Sequence, residues 1–482
     1  MHRISIVCFQ SRTLSIGLVV TLLSACGGGS TTGSVPVASN AAPIFTSAIS
    51  AIVKENSTGT IYTAEATDAD GDNISYSLSG IDAAQFALNA KGALSFISEP
   101  DFEIPKDSGA DNQYDITITA SDGKASTSQA VTITVTNDKE GIAVKRIATG
   151  FVDPVCIDFL NQLPAPTAGP QGRIAVGQRD GKIFAIDGGT GTITQIAAVG
   201  TGELIECKSF ERSRAHYYSG LYGAVRQSNG RVYLQRYEGG ASLQETELLP
   251  AGTPATAISL TYAANETFYM ATGDISGNEV RNAASPLGKV FRLTGIDPYA
   301  GASLRPGYFT LESLAPGVRD PAGGSMINDD LLLADRGGSR EHELTLFNPS
   351  TSPLDLGWPY YEGRAALVTS PPTLVTAPAL TYSYGTGNRQ GLGIVGGWPY
   401  AGPATALAGH YIFGDKSGSI WSIMLSKLSV GGAIDMSQIE DRTADFQPDV
   451  GSIDSPVGFA VDDMNRFYIL DSDGEVFRVD GT

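Results

Sequence analysis

The sequence predicts an all-β protein in which a Greek-key sandwich is followed by a six-bladed β-propeller. Three observations predict this fold class. Glycine is abundant, with 57 residues among 482, while only 17% of the residues are charged. No long stretch carries the apolar period of an amphipathic helix. Short β-like runs, separated by turns that contain Asp or Gly, recur instead along a chain that is long enough for two or three domains.

The chain begins with a short basic segment and an apolar run over residues 14–23. This run is too short for a membrane-spanning helix and is typical of a secretory signal peptide, here residues 1–25. It ends in Leu23-Ser24-Ala25-Cys26, which resembles a bacterial lipobox. The resemblance implies cleavage before Cys26 and a lipid on that cysteine. An ordinary signal peptide followed by a chance cysteine is the alternative.

Residues 26–40 are predicted to form a flexible tether, because they are rich in Gly, Ser and Thr and carry no apolar period. The lipid on Cys26 would make the membrane a partner through this anchor. In lipoproteins, a residue other than Asp after the lipidated cysteine implies sorting to the outer membrane, and Gly27 fits that pattern. The expected location is therefore the outer membrane or the cell surface.

Residues 41–140 alternate short β-like runs with turns. Six or seven strands in about 100 residues are typical of a Greek-key sandwich. The runs cover residues 51–54, 60–64, 74–78, 93–97, 114–120 and 130–135.

Residues 143–482 contain a recurring unit: a short apolar strand, a turn with Asp or Gly, and a second strand. Six such units fit four-stranded blades that close into a propeller, whereas a two-sheet sandwich would not need this repetition. They begin near residues 173, 231, 267, 330, 410 and 466.

The net charge of −19 argues against nucleic acid and against anionic lipid surfaces as partners. It favours cations as ligands, or simply solubility in a calcium-containing exterior. Of the four cysteines, Cys8 would leave with the signal peptide and Cys26 would take lipid. Cys156 and Cys207 remain, and in an oxidising compartment they form either a disulfide or two buried free thiols.

Carboxylates mark the turns of the 41–140 module, and their order resembles the cadherin repeat. In cadherins such acids bind calcium, a hard cation that takes several oxygen ligands. The resemblance implies two groups of calcium-binding acids in the module. One faces the segment that follows residue 140, and the other lies at the opposite, N-terminal end. The first group contains Glu55, Asp101, Glu103 and the linker residue Asp138, and the second contains Asp68, Asp70 and Asp122. Acidic turns that only keep the sandwich soluble are the alternative.

The longer propeller motifs resemble soluble pyrroloquinoline-quinone (PQQ) sugar dehydrogenases, such as glucose/sorbosone and aldose sugar dehydrogenases, and hedgehog-interacting-protein-like domains. The resembling segments include residues 271–274, 286–292, 317–321, 356–363 and 409–415. Members of that family transfer a hydride from a sugar hydroxyl to the quinone, with calcium as Lewis acid and a histidine as base. The resemblance therefore implies PQQ and calcium as cofactors.

The position of the family's catalytic histidine falls on Ala255 in this chain, and alanine cannot accept a proton. No catalytic residue is therefore assigned. Arg319 stands where the family polarises the quinone and is the candidate for cofactor binding. His216 lies in a loop that could supply a replacement base.

Two aromatic segments, 358–361 and 396–400, are predicted in turns, where they either stack on a sugar or plug the space between blades. Two functions therefore stand. The first is a calcium-binding surface protein in which the cadherin-like stalk presents a non-catalytic propeller for cell adhesion, binding a glycan or a surface protein. The second is a quinoprotein sugar dehydrogenase with an atypical base.

Overall fold

The computed structural model describes residues 39–160, 172–199, 202–210, 220–238, 241–254, 256–263, 267–295, 309–351 and 353–482. The signal peptide, Cys26, most of the tether, Ala255 and His216 lie outside the described residues. Among the described residues there is no α-helix, only five short 3-10 turns. These turns are Ala83–Gln85, Lys139–Gly141, Thr405–Leu407, Leu425–Lys427 and Met436–Gln438. No helix in the described part of the chain is long and apolar enough to span a bilayer.

The first folded part is a β-sandwich. Its strands are β1 (Ile44–Phe45), β2 (Ser50–Lys54), β3 (Tyr62–Thr63), β4 (Ala66–Thr67), β5 (Ser75–Ser79), β6 (Phe86–Leu88), β7 (Ala93–Phe96), β8 (Gln113–Ser121) and β9 (Ser126–Thr136). One sheet has the order β2-β9-β8-β5, with β2 parallel to β9, and it faces the smaller sheet β3-β7-β6. Alternate residues of β8 point inward, where Ile116 and Ile118 pack with Leu94 and Phe86 of the opposite sheet. The all-β prediction is thus confirmed for this part.

The second folded part consists of antiparallel four-stranded sheets, and the described residues form six of them. The strands of the first three are β11 (Pro154–Phe159), β12 (Arg173–Gln178), β13 (Lys182–Asp187) and β14 (Ile193–Ala198); β15 (Gly202–Phe210), β16 (Gly220–Gln227), β17 (Val232–Glu238) and β18 (Ala241–Leu249); and β19 (Ile258–Ala263), β20 (Thr267–Thr272), β21 (Lys289–Gly295) and β22 (Phe309–Pro316).

The fourth sheet consists of β23 (Pro321–Ile327), β24 (Asp330–Asp335), β25 (Glu341–Phe347) and β28 (Leu380–Ser383), with the small hairpin β26 (Tyr361–Glu362) and β27 (Ala365–Ala366) inserted before its last strand. The fifth consists of β29 (Ile394–Pro399), β30 (His410–Asp415), β31 (Ile420–Met424) and β32 (Glu440–Asp441). The last has the order β10-β35-β34-β33, with β10 (Ile142–Ala148), β33 (Pro456–Val461), β34 (Phe467–Asp471) and β35 (Val476–Gly481).

These sheets form a closed ring, which is the arrangement of a propeller. The inner strands β11, β15, β19, β23, β29 and β33 contact one another in this order, and β33 contacts β11. The last sheet joins both ends of the ring, because β10 enters from the sandwich and pairs with the C-terminal strand β35. The space between neighbouring sheets is filled by large apolar side chains, such as Trp421 against Tyr382 and Phe413.

A disulfide joins Cys156 of β11 to Cys207 of β15, with 5.6 Å between their Cα atoms. The two cysteines belong to neighbouring inner strands and are buried. The bond therefore links the first two sheets of the ring at their inner edge.

Candidate functional site

Three carboxylates of the sandwich meet where it faces the propeller. Glu55, Asp101 and Glu103 each place one oxygen within 4.8 Å of the others. Glu55 follows β2, while Asp101 and Glu103 lie in the loop between β7 and β8, so two distant segments build the group. The structure thus brings together three of the acids that the sequence predicted at this end.

Glu55 is buried and holds the surrounding backbone in place. Its Oε2 accepts a hydrogen bond from the Phe102 N–H at 3.1 Å, and its Oε1 accepts one from the Asp138 N–H at 2.6 Å. The Asp138 side chain itself turns to Lys54, with 2.7 Å between Oδ1 and Nζ. Asp138 therefore supports the group through its backbone.

The propeller adds a fourth carboxylate, Asp445, which the sequence analysis missed. The Asn137 amide nitrogen donates to Glu103 Oε1 at 3.2 Å and to Asp445 Oδ1 at 2.6 Å. Glu103 and Asp445 are 1% and 0% exposed. Burial raises the pKa of Glu103 to about 10, and the charges of Asp445 and Glu55 act in the same direction, while Arg442 opposes them.

These acids therefore repel one another, and Arg442 offsets the repulsion only in part. Oxygen ligands and excess negative charge suit a hard divalent cation such as calcium. Arg442 is the competing cation, with its Nη1 3.5 Å from Glu103 Oε2. The donor set fits calcium, with Glu55, Asp101 and Glu103 as the residues that would hold it.

The acids at the opposite end of the sandwich contact the end of the tether. Asp70 Oδ2 accepts a hydrogen bond from the Ala41 N–H at 2.8 Å, and Asp122 Oδ2 accepts one from the Asn40 side chain at 2.7 Å. Asp68 Oδ1 accepts from the Asp70 N–H at 2.9 Å and thereby shapes its own turn. Within the described residues, the Glu55 group is the one set of three acids close enough to share an ion.

A central cavity of about 630 Å³ lies on the axis of the propeller, and all six inner strands contribute to its lining. A volume of this size is typical of small-molecule sites. The charged side chains of the lining are Asp153, Arg179, Glu203, Glu206, Lys208, Arg226, Arg336 and Lys416. Basic groups outnumber acidic ones here, although the whole chain is strongly acidic.

Lys208 and Trp398 meet on the wall of this cavity, where the Lys208 ammonium lies 4.5 Å from the centre of the Trp398 ring. Lys208 is buried and also lies 3.6 Å from Asp158 Oδ1. Across the cavity, the positive charge of Arg336 lowers the pKa of Lys416, and burial adds to this effect. The cavity thus offers basic groups and the aromatic residues Trp398 and Phe459 to a ligand.

Among the acids of the described cavity lining, Glu206 has the largest pKa shift. Burial raises its pKa to about 8, with Lys208 opposing the shift. Its Oε1 accepts a hydrogen bond from the Cys207 N–H at 2.9 Å. Burial therefore disfavours the charged form of Glu206 and weakens this side chain as a proton acceptor.

Arg319 and the first aromatic segment lie away from this cavity. Arg319 donates from Nη1 to the Arg336 carbonyl at 2.9 Å, and its guanidinium lies 5.4 Å from the Trp358 ring. Trp358 in turn donates from Nε1 to the Asp274 carbonyl at 2.7 Å. Both side chains line a separate small cavity of about 10 Å³.

The two described histidines are both buried within sheets. His342 accepts a hydrogen bond from the Gly337 N–H at Nδ1, and its Nε2 lies 3.2 Å from the Gly391 carbonyl. His410 pairs with Glu440, with 3.1 Å between Nε2 and Oε2. Among the described residues that line the central cavity there is no histidine.

Residues 40–136 match the family model of the bacterial Ig domain. This match covers the sandwich and does not extend into the propeller. Human mucin-like protocadherin EC1-2 is also similar, at 16% identity over 20% of this chain and 53% of that chain, with a TM-score of 0.17. That score is too low to carry an argument.

The propeller is similar to solved sugar dehydrogenases. A glucose dehydrogenase structure aligns with a TM-score of 0.52 at 16% identity, over 70% of this chain and 99% of that chain. The soluble aldose sugar dehydrogenase of Escherichia coli aligns with a TM-score of 0.49 at 14% identity, over 71% and 100%. At such identities the similarity shows the fold and leaves the activity open. No curated protein matches the sequence.

Proposed function

We propose that this chain is a calcium-binding, lipid-anchored surface protein whose Ig-like, cadherin-resembling stalk presents a non-catalytic propeller for adhesion to a glycan or a surface protein. The observation that carries the non-catalytic part is the lining of the central cavity. Its described residues include no histidine, and burial disfavours the charged form of Glu206, which weakens this side chain as a proton acceptor. Sugar oxidation needs a group that accepts the hydroxyl proton.

The anchor rests on Cys26 and the lipobox-like segment before it. A Cys26→Ser variant is expected to leave the membrane fraction for the soluble fraction after export. Membrane retention of this variant would contradict the anchor and leave the proposal for the propeller untouched.

Calcium binding is supported by the carboxylate group at the junction of the two parts. Titration calorimetry of the full chain should detect calcium uptake, and the paired variant Glu55→Gln/Asp101→Asn should lose it. Glu99→Gln is the matched control, because Glu99 is an exposed acid of the same loop. Calcium uptake that survives in the paired variant would contradict the assignment.

The alternative hypothesis, a quinoprotein sugar dehydrogenase, is tested by adding calcium and PQQ to the purified protein. The absorbance of the quinone and the reduction of a dye in the presence of aldoses are then measured. The basic lining of the central cavity could hold acidic groups of such a cofactor, but the described lining contains no histidine. We expect no turnover. Turnover with an aldose would overturn the non-catalytic proposal and establish the sugar dehydrogenase instead.

The adhesion part is tested on a glycan array with the full chain. Because the Trp398 side chain lines the central cavity, Trp398→Ala should abolish binding if a sugar stacks on this ring. Trp358→Ala is the control, since Trp358 lies outside this cavity. Equal loss in both variants would contradict the cavity as the binding site.

A further inference from the structure

A second cavity, of about 380 Å³, lies between the sandwich and the propeller. We call it the junction groove. Its walls come from residues 102–112 of the sandwich and from residues 388–389 and 441–447 of the propeller. The Asp441 N–H and the Arg389 side chain both donate to the Glu103 carbonyl, at 3.0 and 2.9 Å, so the groove exists because the two parts are docked.

Three amide side chains line this groove: Asn112, Asn388 and Gln447. In each of them the side-chain NH₂ group donates a hydrogen bond to a backbone carbonyl, so the amide oxygen remains available as an acceptor. The carbonyls belong to Phe102, Ala110 and Thr443, at 2.8, 2.8 and 3.1 Å respectively. Asn112 is only 6% exposed, and its Oδ1 has no hydrogen-bond partner among the described residues. A buried acceptor without a partner is costly, and a hydrogen-bond donor from a ligand or a water would remove this cost.

The charged groups of the groove add further acceptors. Asp441 uses Oδ1 for the N–H and hydroxyl of Thr443, and its Oδ2 makes no hydrogen bond to the described residues. Asp111 supplies a second carboxylate. Arg389 is the single cation among the described lining residues. Its guanidinium donates hydrogen bonds to the carbonyls of Glu103, Met436 and Ile439. The groove is therefore negative and rich in acceptors.

From this lining we infer that the junction groove binds a small organic cation that is rich in hydrogen-bond donors, namely a protonated amine of about the size of an amino sugar. Its ammonium group would face Asp441 and the amide oxygens, while the Phe102 ring supplies a surface that favours a cation. A bare metal ion fits less well, because the groove is far larger than an ion and includes the apolar Pro105. This site is separate from the central cavity and lies beside the Glu55 group, because Phe102 stands between Asp101 and Glu103.

The test is titration calorimetry of the full chain at pH 6 with D-glucosamine, and with D-glucose as the neutral match. D-glucosamine is expected to bind, and D-glucose to bind at least about tenfold more weakly. Asp441→Asn should weaken the D-glucosamine affinity by about tenfold as well. Asp329→Asn should leave it unchanged, because Asp329 is an exposed acid in the turn between β23 and β24.

Since Asp441 also holds Thr443, unfolding of Asp441→Asn would mask its effect on binding. Gln447→Met is therefore the second variant, because Gln447 is exposed and the change removes an acceptor at similar size. Loss of affinity in a folded Gln447→Met variant supports the site. Equal affinity for the two sugars, unchanged binding in both groove variants, or displacement of D-glucosamine by calcium chloride would each overturn it.

Discussion

Three propeller sheets place an aspartate at the end of their second strand. Asp335, Asp415 and Asp471 are all buried. Each accepts hydrogen bonds from the backbone N–H groups of the loop that leads into the first strand of its own sheet. Asp335 accepts from Arg319 and Asp320, Asp415 accepts from Leu392 and Gly393, and Asp471 accepts from Ser455. A short acceptor at this point satisfies backbone donors that the sheets leave unpaired.

Asp471 is the member of this set whose burial is least compensated. Its Oδ2 has no hydrogen-bond donor among the described residues, and burial raises its pKa to about 7, with Asp454 acting in the same direction. Since the folded-state pKa exceeds the unfolded value, this group destabilises the fold as pH rises from about 4 to 7. Asp471→Asn keeps an acceptor for Ser455 and removes the charge. The variant should gain about 1 kcal/mol or more over the wild type at pH 8, a rise of about 2 °C in Tm.

Below about pH 4 the two proteins should melt together, because the Asp471 carboxyl is then protonated in both the folded and the unfolded state. Asp329→Asn is the control, since Asp329 is an exposed acid of the propeller that does not act on Asp471. A Tm difference that does not change between pH 5 and 8 would contradict the assignment of this charge.

The junction carboxylates show how far sequence reasoning reaches at this scale. Glu55, Asp101 and Glu103 were predicted from the order of acidic turns, because a repeat pattern preserves their spacing. Asp445 was not predicted, since it belongs to no repeated motif and reaches Glu103 only through the docking of the two parts. Arg319 was placed by a motif as well, but its side chain turns to Arg336 rather than to the central cavity.

At the scale of strands, the alternating pattern located the long elements well. All six predicted runs of the sandwich overlap observed strands, because alternation of buried and exposed side chains persists over five or more residues in β8 and β9. The strands β1, β4 and β6 were missed, since two or three residues are too few to show a period.

The disulfide is the element-scale feature whose loss is simplest to measure. Cys156 and Cys207 are 51 residues apart in sequence, and their bond links the inner strands of two sheets. The variant Cys156→Ser/Cys207→Ser should lose about 2–4 kcal/mol of unfolding free energy, because the unfolded chain is no longer constrained. Thermal unfolding with and without reductant checks this. Reductant should lower the Tm of the wild type and leave the variant unchanged, and two thiols that titrate in the oxidised wild type would contradict the bond.

At the scale of the whole molecule, a buried arginine holds the sandwich and the propeller together. Arg442 is 5% exposed, and its guanidinium contacts carboxylates from the sandwich, the linker and the propeller. These are Glu103, Glu140, Glu440 and Asp445, at 3.5, 2.7, 3.0 and 3.0 Å. Removing it would leave several acids buried without their counter-charge.

Arg442→Met should therefore cost about 3–5 kcal/mol and uncouple the two parts. Differential scanning calorimetry of the full chain is expected to show two separate transitions where the wild type shows one. Arg340→Met is the control, because Arg340 is exposed on the propeller. A single transition at an unchanged temperature in Arg442→Met would contradict the role of this arginine.

The closure of the ring has a mechanical consequence. Residues 137–141 connect β9 of the sandwich directly to β10, and β10 is held by its ladder with β35, from Ile142 opposite Gly481 to Ala148 opposite Val476. If the N-terminus is fixed and the propeller grips a target, tension passes from the sandwich into this ladder. The ring would then open between β10 and β35, and binding to the target and the integrity of the ring would be lost under the same force.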